Sequence, residues 1–109
     1  MNNSYSIIMT TFPNQESLEK ISSKLLESGL AACIQYFDVM SMFSWEGKIN
    51  KEPEKLVLIK TKSSLFEDVK AVITEEHPYD VPELIQLPIE KMAEAYQLWM
   101  ESVLKKSKS

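Results

Sequence analysis

From Tyr5 to Phe12 the run Tyr-Ser-Ile-Ile-Met-Thr-Thr-Phe is dense in β-branched and aromatic residues, and Pro13 stops it, so a strand is predicted. Asn14 then stands where a helix N-cap belongs. Leu18, Ile21, Leu25 and Leu26 recur at helical spacing until Gly29, a residue suited to the left-handed turn beyond a helix C-terminus. The pattern is a strand followed by an amphipathic helix.

Between Ala32 and Ile49 no helix signal appears, and aromatic and β-branched residues dominate: Ile34, Tyr36, Phe37, Val39, Phe43, Trp45. One long strand is predicted. One face carries Cys33, Gln35, Phe37, Val39, Ser41, Phe43 and Trp45, and the other Ile34, Tyr36, Asp38, Met40, Met42 and Ser44. At about 3.3 Å per residue, some fourteen residues reach about 45 Å, whereas a 100-residue domain has a radius of gyration near 13 Å. The strand therefore outruns its own core. With apolar residues on both faces, such an overhang invites aggregation unless other chains cover it, so an oligomer is expected.

Gly47 marks an expected bulge, and Asn50 to Pro53 an expected polar turn into a second strand, Lys55 to Thr61, completing a long hairpin. Ser64-Leu65-Phe66-Glu67 has the form of a capping box opening a helix with Leu65, Val69, Val72 and Ile73 as its apolar stripe. That helix runs out at His77-Pro78, because proline disfavours a helical residue before it. Val81 to Ile89, bracketed by Pro82 and Pro88, reads as a short strand that is either at an edge or only partly paired. A last helix carries Met92, Ala95, Tyr96, Trp99 and Val103 on one side. The order strand, helix, strand, strand, helix, strand, helix predicts one α+β domain over residues 1–109: a ferredoxin-like split βαβ sandwich with an extra C-terminal helix.

Composition narrows the function classes. The formal charge is −4 and all twelve basic residues are lysine, so no arginine is present to grip phosphates or base edges bidentately, and nucleic acid is not an expected partner. Lys105, Lys106 and Lys108 form the one concentrated cationic group, where positive charge complements a helix C-terminus. Cys33 is the single cysteine, which excludes an internal disulfide and points to a reducing compartment. Met1 to Met9 does not have the form of a signal peptide and no apolar stretch approaches the roughly 20 residues that span a bilayer. A cytoplasmic protein without membrane contact is expected.

Candidate chemistry is sparse. His77, the single histidine, sits at a helix end, where it serves either as a structural cap or as a pocket residue titrating near neutral pH. Cys33 is either a small buried hydrophobe or a soft nucleophile, the latter needing a nearby cation such as Lys60. Lys60 lies inside an apolar strand, and Glu46, Glu54 and Glu83 are available carboxylates. Trp45 and Tyr79 are packing or stacking residues. Neither a paired cysteine and histidine metal spacing nor a glycine-rich phosphate loop is present, since Gly29 and Gly47 are the only glycines.

Four segments in order, Leu30-Ala31-Ala32-Cys33, Trp45-Glu46-Gly47-Lys48-Ile49, Leu58-Ile59-Lys60-Thr61 and His77-Pro78-Tyr79-Asp80-Val81-Pro82-Glu83-Leu84, resemble the CutA, or divalent-cation tolerance, family. Tyr96 and Trp99 match a further aromatic pair. The resemblance implies a tight homotrimer in which long hairpins wrap onto neighbouring subunits. It also implies a likeness to PII signalling trimers and a role in response to divalent metals, copper above all. The chain departs from the copper-linked members, which carry a cysteine and a further histidine where Thr10 and Glu76 stand here. The leading expectation is a binding or regulatory trimer with an inter-subunit cleft for a small molecule or metal ion, lined by Cys33, Trp45, Glu54, Lys60, His77, Tyr79 and Glu83. The alternative is an enzyme using His77 as general acid or base. Copper(II) is expected to bind weakly, through neutral His77, and less as pH falls through about 6.5.

Overall fold

The computed structural model describes residues 4–106, so Met1–Asn3 and Lys108 lie outside the described residues. The elements are β1 (Tyr5–Phe12), α1 (Gln15–Glu27), β2 (Cys33–Trp45), β3 (Lys48–Lys62), α2 (Phe66–Glu76), β4 (Ile85–Ile89) and α3 (Glu94–Val103), with a single 3₁₀ turn, Ser63–Leu65, leading into α2. The four strands form one antiparallel sheet in the order β2-β3-β1-β4. This is the split βαβ arrangement that the element order predicts, with α3 added.

Local chemistry explains most boundaries. The Asn14 side chain accepts the Ser17 N–H at 2.9 Å, satisfying one of the donors left over at the α1 N-terminus. Gly29 turns the chain away from α1 with φ +74°, in the left-handed region. Leu18, Ile21 and Leu25 of α1 and Val69 and Ile73 of α2 are buried against Ile8, Phe12, Val57 and Ile59 of the sheet. Burial of such side chains is worth roughly 1.5–3 kcal/mol each and makes this the main core. Leu26, on the predicted stripe, is exposed instead.

Several boundaries differ from the sequence reading. The hairpin turns at Glu46-Gly47 and not at Asn50–Pro53: β2 runs from Cys33 to Trp45 rather than from Ala32 to Ile49, and β3 already begins at Lys48. Glu46 (φ 52°) and Gly47 (φ 75°) are both left-handed, as a two-residue turn matched to strand twist requires, so Gly47 is a turn residue and not a bulge. Pro53 is accommodated within β3, opposite Met40, because β1 pairs only as far as Lys55 and the outer part of β3 is itself an edge. The capping box at Ser64 does not form, since the 3₁₀ turn places Leu65 at the α2 N-cap without a side-chain bond. β4 begins at Ile85, four residues after Val81, and α3 buries Met100, which the predicted stripe omits.

The β2–β3 hairpin gives the molecule its shape. The principal extents are 44 × 25 × 23 Å and the radius of gyration is 14.7 Å, above the roughly 13 Å of a compact 100-residue domain. Beyond Glu54 the hairpin leaves the core, and Met42 (68 % exposed) and Ile49 (77 %) stand in the open with Met40, Phe43 and Trp45.

Candidate functional site

The two sheet faces have different fates because side chains alternate along each strand. One face carries Ile8, Thr10, Phe12, Val57, Ile59 and Thr61, all buried. The other carries Ile7, Met9, Leu56, Leu58, Phe37, Val39, Ile85 and Leu87, partly or fully open. α3 reaches over one end of this second face. Tyr5 donates its hydroxyl to Glu101, Lys62 Nζ lies 3.0 Å from Glu101, and Lys60 Nζ lies 5.2 Å from the centre of the Tyr96 ring.

Four of the seven candidate site residues meet where β1 ends and the segment after α2 crosses it. α2 stops at His77 because Pro78 follows, and the His77 backbone is extended (φ −69°, ψ 136°). Its ring stacks on Phe12, with centroids 4.7 Å apart and planes 18° apart. Nε2 lies 2.7 Å from the Thr11 carbonyl oxygen, to which it donates, and Nδ1 accepts the Tyr79 backbone N–H at 3.0 Å. A carbonyl can only accept and an N–H can only donate, so this pair of bonds fixes the neutral Nε2–H tautomer. Burial pushes the His77 pKa down, against the opposing pulls of the Thr11 carbonyl and the Glu54 carboxylate.

Tyr79 donates its hydroxyl to Glu54 Oε2 at 2.8 Å, and burial followed by that bond pushes the phenol well up. Glu83 is raised from the usual carboxylate range, first by burial and then by the Glu54 charge. Glu54, His77, Tyr79 and Glu83 are thus one electrostatically linked group, bounded by Glu76, whose carboxylate is held by Lys20 and Lys24 of α1.

The other three candidates lie elsewhere. Cys33 is directly opposite Lys60 in the β2–β3 register, with Tyr96 of α3 over Lys60. Trp45 sits at the hairpin tip beside Glu46, twelve residues along β2 from Cys33, which is about 40 Å at the strand rise. One chain therefore holds three partial sites. The sequence reading missed the contributions of Thr11 and Phe12, which β1 brings across 66 residues, and the Tyr5–Glu101–Lys62 group. Only hydrophobic periodicity marked Phe12, and that signal does not distinguish a core ring from one that stacks on a histidine.

Within a single chain these donors do not fit a divalent cation. Both His77 nitrogens are engaged, Cys33 pairs in register with Lys60, and no group of three histidine, cysteine, aspartate or glutamate side chains capable of holding a metal occurs among the described residues. Thr10 is buried on the helix-covered face of the sheet.

The model of the CutA1 divalent ion tolerance protein family matches residues 6–103. The divalent-cation tolerance protein CutA of Pyrococcus horikoshii is 39% identical over 100 residues, covering 92% of this chain and 98% of that one. The structure described as the periplasmic divalent cation tolerance protein CutA of Archaeoglobus fulgidus superposes with a TM-score of 0.90 at 34% identity, covering 93% and 99% of the two chains. CutA1 of Oryza sativa superposes at 0.92 with 31% identity, covering 95% and 96%. The shared topology, the long hairpin and these identities over nearly the whole chain place it in the CutA1 divalent ion tolerance family.

Proposed function

We propose that the chain works as a PII-like homotrimeric binding or regulatory protein of the divalent-cation tolerance type, with its ligand cleft between subunits. One observation carries this reading: a hairpin that leaves its own core with Met40, Met42, Phe43, Trp45 and Ile49 exposed, beside an uncovered apolar sheet face. Apolar surface of that extent is covered in a stable soluble protein. Copies of the chain are the occupant argued for, because the overhang offers unpaired strand edges as well as apolar side chains.

The same assembly would complete the site. Trp45 cannot approach Lys60 or His77 of its own chain, so in the proposed assembly a neighbour's hairpin tip would supply that ring. A small molecule or a metal ion such as copper(II) would draw its contacts from two subunits. The engaged nitrogens of His77 count against its use as general acid or base in this state. The single cysteine supports a reducing compartment, the cytoplasm, and no helix among the described residues is long and apolar enough to cross a membrane.

Light scattering at micromolar protomer concentration tests the reading. A mass about three times the 12.5 kDa chain is expected, and a stable monomer refutes it. Phe43→Ala and Trp45→Ala should shift the population toward smaller species, because truncating an interfacial aromatic costs about 2 kcal/mol or more where the ring is a hot spot.

A further inference from the structure

We propose that Lys60 is a carboxylate-binding centre: its ammonium and the Tyr96 hydroxyl converge on the open sheet face and hold the acidic group of a small monocarboxylate, whose apolar body lies against the Tyr96–Trp99 pair. Naming this ligand class rests on the reading of the chain as a ligand-binding protein, and not on the number of its subunits.

The ion pairs of the molecule single this lysine out. Among the described residues, Glu76 holds Lys20 and Lys24, Asp38 holds Lys55 and Glu101 holds Lys62. Lys60 is in none of these pairs. It stands two residues before Lys62 on the same face of β3, half-buried, with Leu58 next to it along the strand and Cys33 and Ile7 opposite it on β2 and β1. α3 therefore offers a carboxylate to one of two successive lysines and only a phenol to the other. β3 is an inner strand of the sheet, and a charge partly withdrawn from water there is costly until a counter-charge meets it.

Counting donors leads to the same place. Lys60 Nζ donates to the Tyr96 hydroxyl oxygen at 3.3 Å and lies 5.2 Å from the centre of that ring, so the phenol solvates the ammonium through both its oxygen and its π face. An ammonium carries three N–H groups and no acceptor. One is spent on Tyr96, which leaves two, and the phenol that accepts it keeps its own proton for a further acceptor. No acceptor among the described residues takes these donors. A carboxylate, with two oxygens and about four lone-pair sites, can take all of them, in charge-assisted bonds roughly twice as strong as neutral ones.

Charge and surroundings set the class of ligand. One uncompensated ammonium matches one negative charge. A polyphosphate is poorly served, because the chain has no arginine for bidentate contact and only two glycines, too few for a phosphate-cradling loop. The surface beside the donors is apolar: Ile7 and Leu58 are half-buried, while Tyr96 and Trp99 are 37 % and 42 % exposed with ring centroids 5.4 Å apart. A few placed donors beside an aromatic wall are the arrangement that orients an apolar molecule by its one charged group.

Calorimetry on the full-length protein in its native assembly at pH 7, with benzoate as the probe, tests this. Saturable binding at millimolar concentration or below is expected. Benzamide, which has the same ring without the charge, should bind about tenfold or more weakly, the effect of losing a hydrogen bond to a charged group. Lys60→Gln should weaken benzoate by a similar factor and Tyr96→Phe by less, while Lys60→Arg retains binding. Equal affinity for benzoate and benzamide overturns the proposal with wild-type protein alone, whether or not a variant folds. Benzoate binding that survives Lys60→Gln overturns it as well, and inorganic phosphate bound as tightly as benzoate overturns the assignment to carboxylates. Failure to bind benzoate, together with a light-scattering mass that falls in Lys60→Gln, would show that a carboxylate side chain of a neighbouring copy takes these donors, and no free ligand does. A monomer that binds benzoate through Lys60 refutes the trimer and leaves the carboxylate site standing, and a trimer indifferent to benzoate does the reverse.

Discussion

Replacing Thr10 by valine should stabilise the protein, although it removes a polar group from the centre of the sheet. Thr10 is 0 % exposed, lies opposite Val57, and its Oγ1 has no hydrogen-bond partner. A buried hydroxyl without a partner carries a desolvation penalty of about 1–3 kcal/mol, and the methyl that replaces it contributes about 0.8 kcal/mol of apolar burial. Valine has nearly the shape of threonine and favours strands equally, so packing strain offsets only part of this gain. The expected result is about 1–2 kcal/mol of added stability. Urea unfolding at matched protomer concentration measures it, with an unchanged m-value showing that the native and denatured ensembles are otherwise alike. In thermal unfolding each kcal/mol corresponds to about 4–8 °C for a domain of this size. The alternative is a bridging water: Gln86 pairs with Ile8, which makes it the diagonal neighbour of Thr10 on the same face, and its Oε1 is also without a partner. A loss of 1 kcal/mol or more in Thr10→Val would show that such a water holds both groups and would refute the reasoning.

The two glycines should separate under Ala substitution. Gly29→Ala combines left-handed strain of about 1–2 kcal/mol with a new Cβ 3.1 Å from the Lys105 backbone nitrogen, while Gly47→Ala meets nothing within 4 Å and incurs the backbone strain alone. Urea midpoints should rank Gly47→Ala above Gly29→Ala, and equal losses would contradict the close approach. Stability should also fall on mild acidification. The native His77 pKa lies below the unfolded value of about 6.5, so the unfolded chain takes up the proton first, and the loss sets in as pH drops below about 6.5 and ends at the native pKa. Glu83, raised by burial, acts in the opposite sense, its contribution being lost as pH rises above the ordinary carboxylate value. The slope near pH 6 should disappear in His77→Gln, and a slope that persists there would exclude the histidine as its source.

Local chemistry written in the chain decided the elements and their order. The β-branched and aromatic run Tyr5–Phe12, the Asn14 cap, the α1 spacing closed by Gly29 and the proline after His77 each act within a few residues, and each produced the structure expected of it. The overhang of the hairpin was legible for the same reason, because its length follows from residue count and rise. Competing local signals were where this reading failed. Asn50–Pro53 has better turn composition than Glu46-Gly47, yet pairing of Trp45 with Lys48 requires the turn at the two left-handed residues, and that preference exists only once both strands are present. The site was decided almost wholly by tertiary structure. His77 was visible as a helix end, but its state depends on Thr11 and Phe12 some 66 residues earlier and on Glu54 through Tyr79. Sequence spacing carries no information about such contacts, because the sheet order β2-β3-β1-β4 brings distant segments together, and protonation state follows from what then surrounds the ring.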